Sequence, residues 1–173
     1  MERFYSNPER WSAAFQITVL VSKLEQHASL VAAPKNRVLE GSVHSGLAVY
    51  CRNLLEQGTM SPDDGAVVRR VYDFGVQQHA TKVDCFLFLS VTPAVALERV
   101  KSRGRVEELG ISPEYLTALT SKYEDFFRDP RFHEATVAVI DADKPADDVF
   151  TAVRRELWEY FPRFAPKLRS QGS

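Results

Sequence analysis

Two stretches of the chain carry residue types at spacings that could do chemistry. The first is Arg99-Val100-Lys101-Ser102-Arg103-Gly104-Arg105-Val106-Glu107-Glu108, a cationic helix end that breaks at Gly104 and is followed by two carboxylates. Guanidinium forks suit a polyphosphate and a carboxylate suits a hydroxyl, which is the composition of a mobile lid over a nucleotide. The same residues also suit a solvated helix face with i,i+4 pairs, and spacing alone does not separate the two readings. The second stretch, Gly41-Ser42-Val43-His44-Ser45-Gly46, has the G-x-x-x-x-G spacing of a phosphate-binding loop. Leu47 and Ala48 stand where such a loop needs Lys for the terminal phosphates and Ser or Thr for magnesium, and Glu40 just before it would repel a phosphate. A true phosphate loop is therefore not expected here. Carboxylates at this place can instead serve as general base or magnesium ligand. His27, His44, His79 and His133 show no metal-ligand spacing and no nucleophile pattern, so no metal site is expected.

These residues need elements to hold them. Asn7-Pro8-Glu9-Arg10 reads as a helix start, and the helix should run to about His27, with Trp11, Phe15 and Val19 on its core face and Gln16 as a polar exception. A loop follows between Leu30 and Lys35, and Arg37-Val38-Leu39-Glu40 then reads as a short strand ending in a carboxylate, the place where functional groups gather in a parallel sheet. Leu47 to Gln57 reads as a helix closed by Gly58, and Ser61-Pro62 opens another that turns Val67, Val68, Val71 and Tyr72 inward. Residues 84–91 form an apolar run of strand length, suited to burial on both faces. Thr92-Pro93 caps the helix that ends in the arginine stretch, and Ser112-Pro113 starts one through about Arg128. Ala135–Asp141 is a further strand, and the last helix spans about Ala146 to Tyr160. Alternating strands and helices give an α/β fold with a parallel sheet, thin at three strands.

Composition sets the outer bounds. A length of 173 residues with 45% hydrophobic content fits a single domain over 1–173 with a proper core, its basic end at about 163–173 frayed. Cys51 and Cys85 are too few for a disulfide framework or a zinc site and sit in apolar context. A net charge of −1 gives no footprint for a nucleic-acid polymer. No apolar run approaches a membrane span, and residues 1–4 have no leader character, so the expected compartment is cytoplasmic.

The order of these pieces can be compared with a known family. Phe4-Tyr5-Ser6-Asn7-Pro8-Glu9-Arg10-Trp11, Phe15-Gln16, Glu40-x-Ser42-Val43-x-Ser45 and Arg99-x-x-x-Arg103-Gly104-Arg105-x-Glu107-Glu108-x-Gly110-Ile111, with Pro113, Tyr115 and Leu116, follow one another in register. Taken together they resemble the deoxyribonucleoside kinases, the family of deoxycytidine, deoxyguanosine and insect multisubstrate nucleoside kinases. The resemblance implies a three-layer α/β/α fold of the P-loop nucleoside kinase type. It also implies transfer of the ATP γ-phosphoryl group to a deoxynucleoside 5′-hydroxyl with Mg2+, in nucleotide salvage. Tyr5 and Glu108 would bind the sugar 3′-hydroxyl, Gln16 would read the base edge through a donor–acceptor pair, and Trp11, Phe15 and Tyr50 would wall the base. Arg99, Arg103 and Arg105 would be lid arginines on the donor phosphates, Arg105 with Glu40 serving catalysis, and Asp141 to Lys144 would lie near the donor adenine. Partners would be a deoxynucleoside and ATP, with a homodimer as an option, and neither membrane nor nucleic-acid polymer.

The departures matter equally. The family's Glu-Arg-Ser motif is Glu40-Gly41-Ser42 here, so its arginine is absent, and Gly46 replaces the residue that helps choose the base. Set against the family, the chain begins downstream of the P-loop, the first two strands and the general-base carboxylate, so the fold is expected to be N-terminally incomplete. The alternative is a non-catalytic homologue, a pseudoenzyme that binds a nucleoside or a partner protein.

Overall fold

The computed structural model describes residues 2–28, 38–78, 82–129 and 135–161. The expected loop at 30–35, His79, His133, Arg37 and the basic tail lie outside the described residues.

After a short helix α1 (Glu2–Ser6), helix α2 (Pro8–Ala28) starts as its sequence dictates, with the Asn7 side chain accepting from the Arg10 amide at 3.2 Å. Its buried stripe is Ser12, Gln16, Leu20, Leu24 and His27. This corrects the expected Trp11–Phe15–Val19 core face by one position. The reason is at Ser12, whose hydroxyl donates to the Thr59 carbonyl at 3.3 Å and seats that small side chain against the neighbouring turn. The aromatic stripe is left half-buried beside it.

Residues 43–56 are continuously helical: α3 (Val43–Ser45), a π-helical segment (Gly46–Cys51) and α4 (Arg52–Glu56). Ser42 caps this run through a reciprocal pair, its hydroxyl accepting from the Ser45 amide at 2.9 Å while the Ser45 hydroxyl accepts from the Ser42 amide at 3.2 Å. The π turn ties the molecule together. Cys51 packs with Leu20, Leu24, Val43, Leu54, Met60 and Val68 in a helical core, whereas Val49 joins Phe86 and Phe126 in a second core under the sheet. Helix α5 (Pro62–Gln78), capped by Ser61, approaches α2 closely at Gly75, where an added Cβ would lie 2.2 Å from Leu24 Cδ1. Of its expected inward residues Val68 is buried and Val71 and Tyr72 pack on the core, but Val67 faces outward.

Strands β1 (Cys85–Ser90) and β2 (Thr136–Asp141) pair in parallel, Cys85 opposite Thr136 through to Ser90 opposite Asp141. Between them run α6 (Pro93–Arg103), a 3-10 turn (Val106–Glu108) and α7 (Pro113–Arg128), and α8 (Ala146–Tyr160) packs on β2. Period-two alternation sets Phe86 and Phe88 on one face, where they meet Phe126, Phe127 and Tyr123 of α7. Two expectations fail here. Leu89 is 47% exposed, so β1 is not buried on both faces, and residues 38–40 form no strand, with Val38 76% exposed. Residues 38–40 have no ladder to join, because among the described residues only β2 flanks β1.

Candidate active site

A cavity of about 570 Å³ opens between the helical core and the sheet core. Helix α2 contributes Phe15, Gln16, Val19, Leu20 and Lys23; the segment before α3 contributes Glu40 and Gly41; the π turn contributes Gly46 and Tyr50; and Tyr123 comes from α7. Four residues singled out in the sequence, Phe15, Gln16, Glu40 and Tyr50, thus converge from three segments. Gln16 is 6% exposed, yet its amide makes no hydrogen bond to the described residues. Its donor and acceptor are left open to whatever enters the cavity. Phe15 is braced from behind by Phe4, stacked at 4.6 Å and 14°. Tyr50 is held edge-on by Tyr123, whose hydroxyl donates to that of Tyr50 at 3.2 Å. Burial, with Tyr50 and Tyr5 adding to it, pushes the Tyr115 phenol up to about 12, and burial pushes Tyr123 further still. These phenols are therefore hydrogen-bond donors throughout the neutral range.

The lid stretch closes on itself. Thr92 caps α6, and Gly104 ends it with φ of +66°, a left-handed turn that suits glycine. Beyond the turn, buried Glu108 accepts from Arg103 Nε at 3.0 Å and from Arg105 Nη1 at 3.3 Å. Desolvation raises the Glu108 carboxyl, but the two guanidiniums outweigh it and hold the group below the usual carboxylate range. One turn before Arg103 on α6, Arg99 Nη2 donates to the Lys144 carbonyl at 3.2 Å, and Lys144 pairs with Asp141 at 3.6 Å. Arg99 and Asp141 are thus joined at one corner by the 141–144 loop. Tyr5 lies edge-on to Phe4 near Tyr115, and Trp11 is flanked by the Arg3 and Arg10 guanidiniums at 5.4 Å each; neither lines the cavity.

A family model described as deoxynucleoside kinase matches residues 1–161. The chain belongs to the deoxynucleoside kinase family. Among its relatives, deoxycytidine kinase of Homo sapiens is 32% identical over 134 residues, covering 73% of this chain and 52% of that protein. Mitochondrial thymidine kinase 2 of Homo sapiens is 29% identical over 141 residues, covering 80% and 53%. The chain therefore spans about half the length of the curated relatives it matches. In structure it is similar to deoxyadenosine kinase from M. mycoides with bound dCTP, at a TM-score of 0.79 and 21% identity over 91% of this chain and 79% of that one. The fold is of the P-loop nucleoside kinase type, built on a parallel sheet with packed helices.

Within this family member the 41–46 segment is no phosphate cradle. Gly46 is helical, with φ of −54°, and Ser42 already caps the helix start. Among the described residues no group of three or more His, Cys, Asp or Glu is placed to hold a metal ion. The residues present do not fit a magnesium–phosphate site at this loop. Lys23 and Tyr123 escaped the reading of the sequence. Lys23 had a signal, since it follows Gln16 by two helical turns and so shares its face; Tyr123, inside an ordinary amphipathic helix, had none.

Proposed function

We propose that this chain forms the acceptor-binding cavity and lid of a deoxynucleoside kinase, which transfers the γ-phosphoryl group of ATP to a deoxynucleoside 5′-hydroxyl. The observation that carries the reading is the nearly buried Gln16 amide, without a hydrogen-bond partner among the described residues, lining a cavity walled by Phe15 and Tyr50. A primary amide offers a donor and an acceptor side by side, which matches the paired edge of a nucleobase, and flat aromatic walls bury a ring with little entropic cost. Tyr5 and Glu108 serve the sugar 3′-hydroxyl, with Glu108 exchanging its arginine partners for it. Trp11 supports the wall from outside the cavity. Arg99, Arg103 and Arg105 face the donor phosphates with Asp141 at the adenine end, and Arg105 and Glu40 act nearest the transferred group. ATP and Mg2+ enter as the family's co-substrate and metal.

A second reading, a non-catalytic homologue that binds a nucleoside or a partner protein, is favoured by Gly41 and by the capped, helical 41–46 segment. Deoxynucleoside-dependent release of ADP from Mg-ATP separates the two. The kinase reading expects ADP formation that requires the nucleoside and is lost in Arg105→Ala; saturable nucleoside binding with no ADP above background would leave the non-catalytic reading.

A further inference from the structure

Tyr123 lines the cavity from α7, and none of the roles above uses it. Its ring is fixed from the sheet side, stacked on Phe88 at 5.5 Å and 24° and on Phe127 at 6.2 Å and 25°. From that anchored position it meets the Tyr50 ring edge-on, the centroids 6.2 Å apart and the planes at 89°, with the two hydroxyls 3.2 Å from each other. Two hydroxyls in contact share one hydrogen and leave the other to be spent elsewhere. Tyr123 is half-buried, whereas Tyr50 is 37% exposed and also lines the cavity. Donation from Tyr123 to Tyr50 leaves the spare hydrogen on the more open group, where a ligand or water can accept it. The reverse order would strand it on the more buried phenol at a desolvation cost. Among the described residues nothing accepts the Tyr50 hydrogen. A hydroxyl that already accepts a hydrogen bond is polarised into a better donor, and burial keeps the Tyr123 proton in place throughout the neutral range.

We propose that Tyr123 is a positioning residue for the nucleoside site: it sets the plane of the Tyr50 ring and, by donating to the Tyr50 hydroxyl, turns that group's own hydrogen toward an acceptor of the bound base, a carbonyl oxygen or a ring nitrogen. The aromatic wall at Tyr50 then carries one polar point in addition to the edge read by Gln16. The proposal rests on the nucleoside reading of the cavity and adds a ligand contact and the residue that orders it.

The test is a double-mutant cycle read by calorimetric titration of the full chain with thymidine, deoxycytidine and deoxyguanosine, as wild type, Tyr50→Phe, Tyr123→Phe and the double variant. Both substitutions keep the ring and remove only the hydroxyl, and circular dichroism confirms that each variant is folded. Each single variant should weaken the nucleoside that wild type binds by about three- to tenfold, the scale of one neutral hydrogen bond, and the double variant should bind no more weakly than Tyr50→Phe alone. A merely structural Tyr123 would act equally in both backgrounds. A Tyr123→Phe loss that persists in full beside Tyr50→Phe, or no loss in either single variant, overturns the assignment and leaves the nucleoside cavity standing. Absence of binding by folded wild type to all three compounds overturns the nucleoside reading itself, and this assignment with it.

Discussion

Gln16 concentrates the chemistry of the cavity in one side chain: it is nearly buried, has no hydrogen-bond partner among the described residues, and lines the cavity. Replacing it by Leu removes a polar group that has no partner among the described residues, so Gln16→Leu should leave the thermal midpoint unchanged or raised while nucleoside affinity falls about tenfold or more. A parallel loss of stability and binding would mean that Gln16 is a structural residue. Glu108 makes a second prediction. Its carboxyl is held below the ordinary value of about 4.3, so the stabilisation from its arginine clamp is complete above that pH and is lost as pH falls through the lower, folded value. Carboxyl-carbon NMR should place its midpoint below that of an unperturbed glutamate, and Arg103→Ala should move it upward. At this scale the sequence was informative wherever a residue type is chemically odd for its position. A glutamine inside an apolar helix face and arginines astride a glycine are such oddities. Lys23 and Tyr123 were not, because a lysine or a tyrosine on a helix is ordinary until the opposite wall is known.

Among the elements, helix starts were the most legible, because Asn7, Ser61, Thr92 and Ser112 each accept from an amide three residues on, as cap chemistry requires. The facing of α2 was less so: its aromatic stripe looked like the core, but a small residue, Ser12, marks where the chain passes closest. Glycines test the packing. Gly75→Ala drives a Cβ into Leu24, a buried residue with little room to move, and should destabilise by about 1–3 kcal/mol despite the better helix propensity of alanine. Gly46 has open space around its Cβ position and helical backbone, so Gly46→Ala should be neutral or stabilising by up to about 1 kcal/mol. Chemical denaturation of both variants checks the pair, and a reversed order would show that the α2–α5 contact is looser than its geometry.

For the whole molecule, the π turn joins the helical layer to the sheet through a single fully buried side chain, Val49. Val49→Ala should cost about 2 kcal/mol and still unfold in one transition; separate transitions for helices and sheet would show that the two cores fold independently. The α/β class was legible from the alternation of elements, whereas the edge of the sheet was not. Pairing is a property of neighbours, and residues 38–40 carry a strand's residue pattern without a described neighbour to pair with.

Whether the cavity encloses a nucleoside between Gln16, Phe15 and Tyr50 is tested by calorimetric titration with thymidine, deoxycytidine and deoxyguanosine. Saturable one-to-one binding of at least one of them is expected, weakened about tenfold or more in Gln16→Leu. No heat with any of the three, on protein shown to be folded, would contradict it.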